Sequence, residues 1–206
     1  MGSKEFFNQV ASQWDQMRTQ FYSDRVRDKA MDVAGVVRGR KAADIGAGSG
    51  FITEGLLRRG LQVVAVDQSP EMLAEMKRKL GAAPVDYRQG VAERLPLADA
   101  EVDYALANMY LHHVETPAAA IREMARVLKP GGRLVITDAD EHNFEFLRTE
   151  HHDRWLGFKR EDIRRWFEEA GLKQVQVGSL EETCCVDSQC GSEKASIGIF
   201  VASGVK

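Results

Sequence analysis

The sequence predicts an α/β protein: a single domain on a mostly parallel sheet with helices on both faces. Three observations carry that expectation. Short β-branched or apolar runs alternate with helical stretches, the pattern of a sheet wound by crossover helices. A glycine-rich turn joins the first of these strands to the helix after it, where a backbone must bend tightly. The 206 residues contain no internal repeat, low-complexity tract or Pro/Ser-rich linker, and that length suits one core.

The elements follow in order. Phe6–Phe21 is helical and aromatic and precedes the alternation, so it is expected as a cap laid over the sheet. Lys41–Ile45 is a short apolar strand, Ile52–Arg59 a helix, and Gln62–Val66 a β-branched strand closed by Asp67. Pro70–Leu80 reads as a helix, with Ser69 to cap it and Pro70 at its first position. Val85–Arg88 and Val102–Ala107 are strands, and Pro117–Leu128 is a helix stopped by Lys129-Pro130-Gly131-Gly132. Arg133–Asp138 is a strand and Glu161–Ala170 a helix closed at Gly171. Lys173–Val177, reaching toward Glu181, and Ala195–Ala202 are the last two strands. Too little chain separates them for a crossover helix, so they are expected as an antiparallel hairpin. The expected division is a cap over residues 1–30 and a core over 31–206.

Composition excludes several classes. The chain is 44% hydrophobic and 29% charged, as ordinary globular proteins are. A net charge of −3 is not that of a nucleic-acid binder, which needs a basic footprint. No apolar run approaches the roughly 20 residues of a membrane span, and Met1-Gly2-Ser3-Lys4-Glu5 lacks a signal-peptide core, so a cytoplasmic location is expected. An odd count of three cysteines argues against a disulfide framework.

The chemistry begins at Ala43-Asp44-Ile45-Gly46-Ala47-Gly48-Ser49-Gly50-Phe51. The glycines let a ligand approach the backbone, and the following helix offers free N–H groups and a partial positive charge. Asp67 ends the next strand, 17 residues after Gly50, where a carboxylate can accept from both hydroxyls of a ribose. A dinucleotide fingerprint wants Gly-x-Gly-x-x-Gly. Here the third glycine comes one residue early and Phe51 takes its place. Asp44 would repel a phosphate but favour an ammonium or sulfonium group.

Five ordered motifs resemble those of class I S-adenosylmethionine-dependent methyltransferases: Asp-Ile-Gly-Ala-Gly-Ser-Gly at 44–50, Val-Asp-Gln-Ser-Pro-Glu-Met at 66–72, Ala-Glu-Arg-Leu-Pro at 92–96, Leu-His-His-Val at 111–114 and Leu-Lys-Pro-Gly-Gly at 128–132. The resemblance spans roughly residues 6–140 and is nearest to the small-molecule branch containing ubiquinone/menaquinone and arsenite methyltransferases. It implies a Rossmann-like seven-stranded sheet, S-adenosylmethionine as cofactor and S-adenosylhomocysteine as product. It implies that Asp44, Gly46, Ala47, Gly48 and Gly50 face the methionine part of the cofactor, with Asn108 and Met109 alongside. Asp67 would hold the ribose, and Gln68, Ala92 and Glu93 would lie near the adenine. Val91 departs from the family, which has an acidic residue there, so the usual acceptor for the adenine amino group is missing. Phe6–Asp15 resembles the segment that folds over the cofactor in this branch. Trp14 would shield the cofactor, with Phe21 and Tyr22 next along the lid; the competing reading makes these aromatics plain core.

The five histidines all fall between positions 112 and 152. His112 and His113 follow the fourth strand, on the side where parallel sheets bind ligands. His112, His113 and His151 are candidate general bases, against the alternative that they pack and hydrogen-bond. Tyr22, His142 and His152 are candidate acceptor contacts. Cys184, Cys185 and Cys190 are expected in a loop at the same rim. They suit a thiophilic acceptor such as trivalent arsenic, a metal, a redox role or mere scaffold. The expected activity is methyl transfer to a small-molecule acceptor by SN2 displacement. The alternatives are a thiophilic methyltransferase using those cysteines, or a binding protein without turnover. Oligomeric state is not legible.

Overall fold

The computed structural model describes residues 2–188, Gly191 and 193–206. Seven strands form one sheet in the order β3-β2-β1-β4-β5-β7-β6. Five are parallel: β1 (Lys41–Ile45), β2 (Gln62–Asp67), β3 (Val85–Gln89), β4 (Val102–Asn108) and β5 (Leu128–Ala139). The inner strands are apolar on both faces, with Ala43, Ile45, Val64, Ala105 and Leu134 fully buried, because helices cover both sides. β7 (Lys194–Val205) runs antiparallel between β5 and β6 (Lys173–Asp187), so the expected closing hairpin is present.

The helices α4 (Phe51–Arg58), α5 (Pro70–Leu80), α6 (Pro117–Arg126) and α8 (Arg160–Glu169) cross between strands where the alternation places them. Ser69 caps α5 by accepting the Met72 N–H at 3.0 Å, with Pro70 just behind it. Three features depart from the expected string. The cap breaks into α1 (Ser3–Val10) and α2 (Trp14–Phe21) around a turn at residues 11–13. A further helix, α3 (Arg25–Ala34), runs across the expected boundary at residues 30 and 31; its Val26, Ala30 and Met31 are buried with Leu56, Val63 and Val135 of the core. A short helix, α7 (Phe146–Glu150), and a 3-10 turn at Leu111–His113 stand in what read as connecting chain.

The hairpin strands are longer than expected. β6 continues through Cys184 and Cys185 to Asp187, pairing them with Ile197 and Ser196. A register shift between Ser179 and Thr183 interrupts the alternation that sequence reading followed, and pairing resumes beyond it. These two cysteines therefore sit in a strand rather than a loop. Among the described residues no helix is long and apolar enough to cross a membrane.

Candidate functional site

At the carboxyl ends of the parallel strands two cavities lie side by side. Phe7, Trp14, Tyr22, Met109 and His113 line both and form the wall between them.

The first lobe is built from loops at strand ends. β1 leads into Gly46, Gly48 and Gly50, all at positive φ (68°, 52° and 97°), a path that side-chain-bearing residues rarely take. Gly46 is required twice over, because a Cβ there would fall 2.1 Å from the ring of Tyr110. Asp44, at 1% exposure, accepts from the Thr53 amide at 2.9 Å and its hydroxyl at 2.7 Å, which ties it to the start of α4. Burial, helped by the nearby Asp67 charge, raises its pKa to about 7. Asp67 accepts from the Gly48 amide at 2.8 Å and the Ser69 amide at 2.8 Å, so it fixes the loop while lining the lobe. Burial also raises its pKa.

Asn108 is oriented by Thr137, whose hydroxyl donates to its Oδ1 at 2.8 Å, and it donates in turn to the Tyr22 hydroxyl at 3.2 Å. Met109 turns out of β4 at φ 47°, its amide donating to Thr137 O at 2.8 Å. Ala47 and Gln68 also line the lobe, whereas Gly50 caps α4 behind it, against Met76.

Of the two expected adenine neighbours, Ala92 lines neither cavity, whereas Glu93 lines a groove that continues from Gln68. Ala92 is buried outside both cavities, with its backbone hydrogen-bonded to the Tyr110 hydroxyl. Glu93 accepts from the Glu115 and Thr116 amides at 2.9 and 3.1 Å, capping the start of α6. A groove lined by Gln68, Val91, Glu93 and Tyr110 continues outward from the lobe.

Arg18 escaped the sequence reading. It lies one helical turn after Trp14, on the same face of α2, and 8% exposed it lines the first lobe. Its guanidinium stacks 4.1 Å from the Phe51 ring centroid. Nη2 reaches Asp24 at 3.3 Å, but Nε is buried without a partner. The cap is pinned beside it by Asp15, which accepts from the Ser49 hydroxyl and from Lys79 at 2.8 Å.

The second lobe is built from distant side chains. Its centre is His112 on the 3-10 turn after β4. Nδ1 meets Asp138 Oδ1 at 2.6 Å, and Asp138 also accepts from the amides of Tyr110, His112 and Ala139. Burial opposes a charge on His112, but Asp138 and Asp153 outweigh it and raise its pKa to about 9. His113 shows the opposite behaviour: burial and the His112 charge hold it well below the usual range. Its ring bonds the His152 backbone, while Nδ1 is buried without a partner. Asp153, whose pKa burial raises to about 6, stands 3.8 Å from His112 Nε2 and 3.8 Å from His113 Nδ1.

His142, His151 and Cys184 complete this lobe. Burial lowers both histidines' pKa and pushes the Cys184 thiol up to about 12. Two expected acceptor contacts are absent from it. The His152 ring packs on Phe6 at 5.1 Å and lines neither cavity. Cys185 is half-buried on the opposite face of β6, near Thr183 and Ser196, because neighbouring strand residues point to opposite sides. Cys190 lies outside the described residues.

Comparison with known proteins bears on the family and the fold. Residues 43–136 match a family described as a methyltransferase domain. Demethylmenaquinone methyltransferase of Renibacterium salmoninarum is 35% identical over 146 residues, 69% of this chain and 61% of that protein. An uncharacterized methyltransferase of Mycobacterium bovis is 48% identical over 95 residues, 46% of this chain and 38% of that one. The chain thus spans less than two thirds of the length of either relative. A chain from the complex containing the Haloferax volcanii Trm112 methyltransferase activator superposes with a TM-score of 0.80, covering 99% of this chain and 97% of that one. At 21% identity that likeness shows the fold alone.

Proposed function

We propose that this chain, which belongs to the class I S-adenosylmethionine-dependent methyltransferases, transfers a methyl group to an oxygen or activated carbon of a small organic acceptor of the quinol or phenol class. The observation that carries this reading is the pair of adjoining lobes meeting at one aromatic wall, the more polar one for the cofactor and the more apolar one for the acceptor. The similar protein named for demethylmenaquinone supports the acceptor class.

The first lobe fits the cofactor by charge. Arg18, with its buried and unpartnered Nε, suits a carboxylate. Asp44 suits the cationic end, Asp67 the ribose hydroxyls, and the groove at Gln68 the adenine. When bound, S-adenosylmethionine supplies a methyl carbon made electrophilic by its sulfonium. The residues of the chain align and exclude. Trp14 and Phe7, in edge contact at 5.1 Å, close the wall between lobes and keep water from the transfer line. His113 faces both lobes with a free ring nitrogen and accepts the acceptor's proton as the methyl moves in an SN2 displacement. His112, held protonated by two carboxylates, orients the acceptor instead.

A thiophilic acceptor is less well supported. Of the described cysteines only Cys184 lines the lobe, and its thiol stays neutral; soft centres are gripped by thiolates. The test is S-adenosylhomocysteine release from S-adenosylmethionine with hydroquinols and phenols set against arsenite plus thiol. Turnover on a hydroquinol or phenol is expected. Turnover on arsenite alone would replace the acceptor class, and cofactor binding without any product would remove the catalytic reading.

A further inference from the structure

We propose that His112, His113 and Asp153 form a binding site for one divalent transition-metal ion, with an open coordination position facing the second lobe.

The donor atoms are already gathered. One ring nitrogen from each histidine and one Asp153 oxygen lie within 4.8 Å of one another. Tetrahedral zinc holds its N and O ligands at about 2.0–2.2 Å, hence roughly 3.3 Å apart. Reaching that spacing means closing from 3.8 Å between Asp153 and each ring, and from no more than 4.8 Å between the rings, by side-chain movement.

Each donor is also oriented. Asp138, fully buried, takes the Nδ1 side of His112 at 2.6 Å, which turns Nε2 toward Asp153. A carboxylate behind a histidine is the usual means of fixing a ligand's tautomer and ring angle. His113 is set by packing: the Phe7 ring lies in edge contact at 5.0 Å, and Nδ1 is buried without a hydrogen-bond partner, 3.8 Å from Asp153, at 6% side-chain exposure. A buried polar atom without a hydrogen-bond partner calls for an explanation, and coordination of a cation would supply one.

Asp153 is tied to the histidines through the backbone. The amides of Arg154 and Trp155 both donate to His112 O, at 3.0 and 3.1 Å, and the Trp155 indole donates to Val114 O at 3.0 Å. The carboxylate therefore moves with the 3-10 turn that carries both rings. Two histidines and one carboxylate leave room for a water or an acceptor oxygen, the arrangement of catalytic rather than closed structural sites. Ion binding takes the His113 nitrogen that acts as base in the metal-free chain and requires His112 Nε2 to give up its proton, so the bound ion and base catalysis by His113 are mutually exclusive states of one site. The binding of the ion does not rest on the methyl-transfer reading.

The probe is Zn2+ alone, titrated calorimetrically into metal-stripped protein without S-adenosylmethionine, followed by the visible spectrum of the Co2+ form. One ion per chain is expected, with affinity at least ~10-fold weaker in Asp153→Asn and His113→Phe. Asp138→Asn, which leaves all three donors in place, should weaken it by roughly 10- to 100-fold. The Co2+ protein should show ligand-field bands without thiolate charge transfer, and Cys184→Ser should bind as the parent does. Should a variant fail to fold, the parent's Co2+ spectrum decides. No binding, binding unchanged in the folded variants, or a thiolate band lost in Cys184→Ser would overturn the site. Methyl transfer from metal-free protein, alongside full Zn2+ binding, would separate this site from the catalytic reading and leave its donor assignment standing.

Discussion

The two lobes differ in how the chain builds them. The first is made largely of neighbours in sequence: Asp44 to Ser49 on one turn, Asp67 and Gln68 on the next, Asn108 to Tyr110 on a third. Its polar groups hold one another through the backbone, as Asp67 does with Gly48 and Ser69. The second gathers side chains from α1, α2, the 3-10 turn, the segment between β5 and α8, and both hairpin strands. The first needs its strand-end loops and the cap that folds over them; the second draws on the hairpin strands and the segment before α8 as well. That difference suits a constant cofactor and an acceptor that varies between related enzymes.

Replacing His113 by Phe should separate the lobes most sharply. Its ring contact with Phe7 is kept, while the free nitrogen is lost. Turnover should fall about 100-fold or more, the usual weight of a general base, with cofactor affinity changed less than about threefold by calorimetry. Asp44→Asn should do the reverse. It should weaken S-adenosylmethionine binding by roughly 10- to 100-fold, the ~1.5–3 kcal/mol of a charged hydrogen bond, and leave acceptor KM nearly constant.

A third effect is pH-dependent and smaller. The Asp44 pKa is raised from 3.8 to about 7. The ligand-free fold is therefore favoured by protonation, and that contribution is lost as pH rises through about 7. Attraction for a cationic ligand runs the opposite way. Affinity should rise about fivefold between pH 6 and 7 as the carboxyl ionises, and Asp44→Asn should flatten the profile. The smallest effects belong to the cysteines. Cys185→Ser should leave stability within about 0.5 kcal/mol and activity unchanged. Cys184→Ser, buried against the second core cluster, should lower the thermal midpoint by a few degrees and shift acceptor KM alone.

What sequence reading recovers follows the same division. The seven strands and the glycine loop are legible because local pattern and backbone geometry dictate them. Asp44, Gly46, Gly48 and Asp67 stand out for that reason, and all four line the first lobe. Arg18 was passed over because its role depends on α2 folding back onto the loop, although its place one turn after Trp14 was a usable signal. Motif position alone marks Ala92 and Glu93; that Ala92 engages the Tyr110 hydroxyl and Glu93 the α6 amides depends on other elements and is not legible in the motif. The pairing of His112 with Asp138 and Asp153 joins chain positions 26 and 41 residues apart, and no spacing rule announces it. The cysteines were expected in a loop because polar residues flank them. The strand resumes there after its irregularity, and alternation then sends Cys184 inward and Cys185 outward.

One comparison tests the division of labour most directly: S-adenosylmethionine affinity and methyl-transfer rate, measured together for Asp44→Asn and Asp153→Asn. Asp153 lines only the second lobe and Asp44 only the first. The expected result is cofactor binding weakened in Asp44→Asn alone, with Asp153→Asn binding the cofactor as the parent does while losing turnover. Equal loss of cofactor binding in both variants would contradict two separate lobes, and with them the assignment of one to the cofactor and the other to the acceptor.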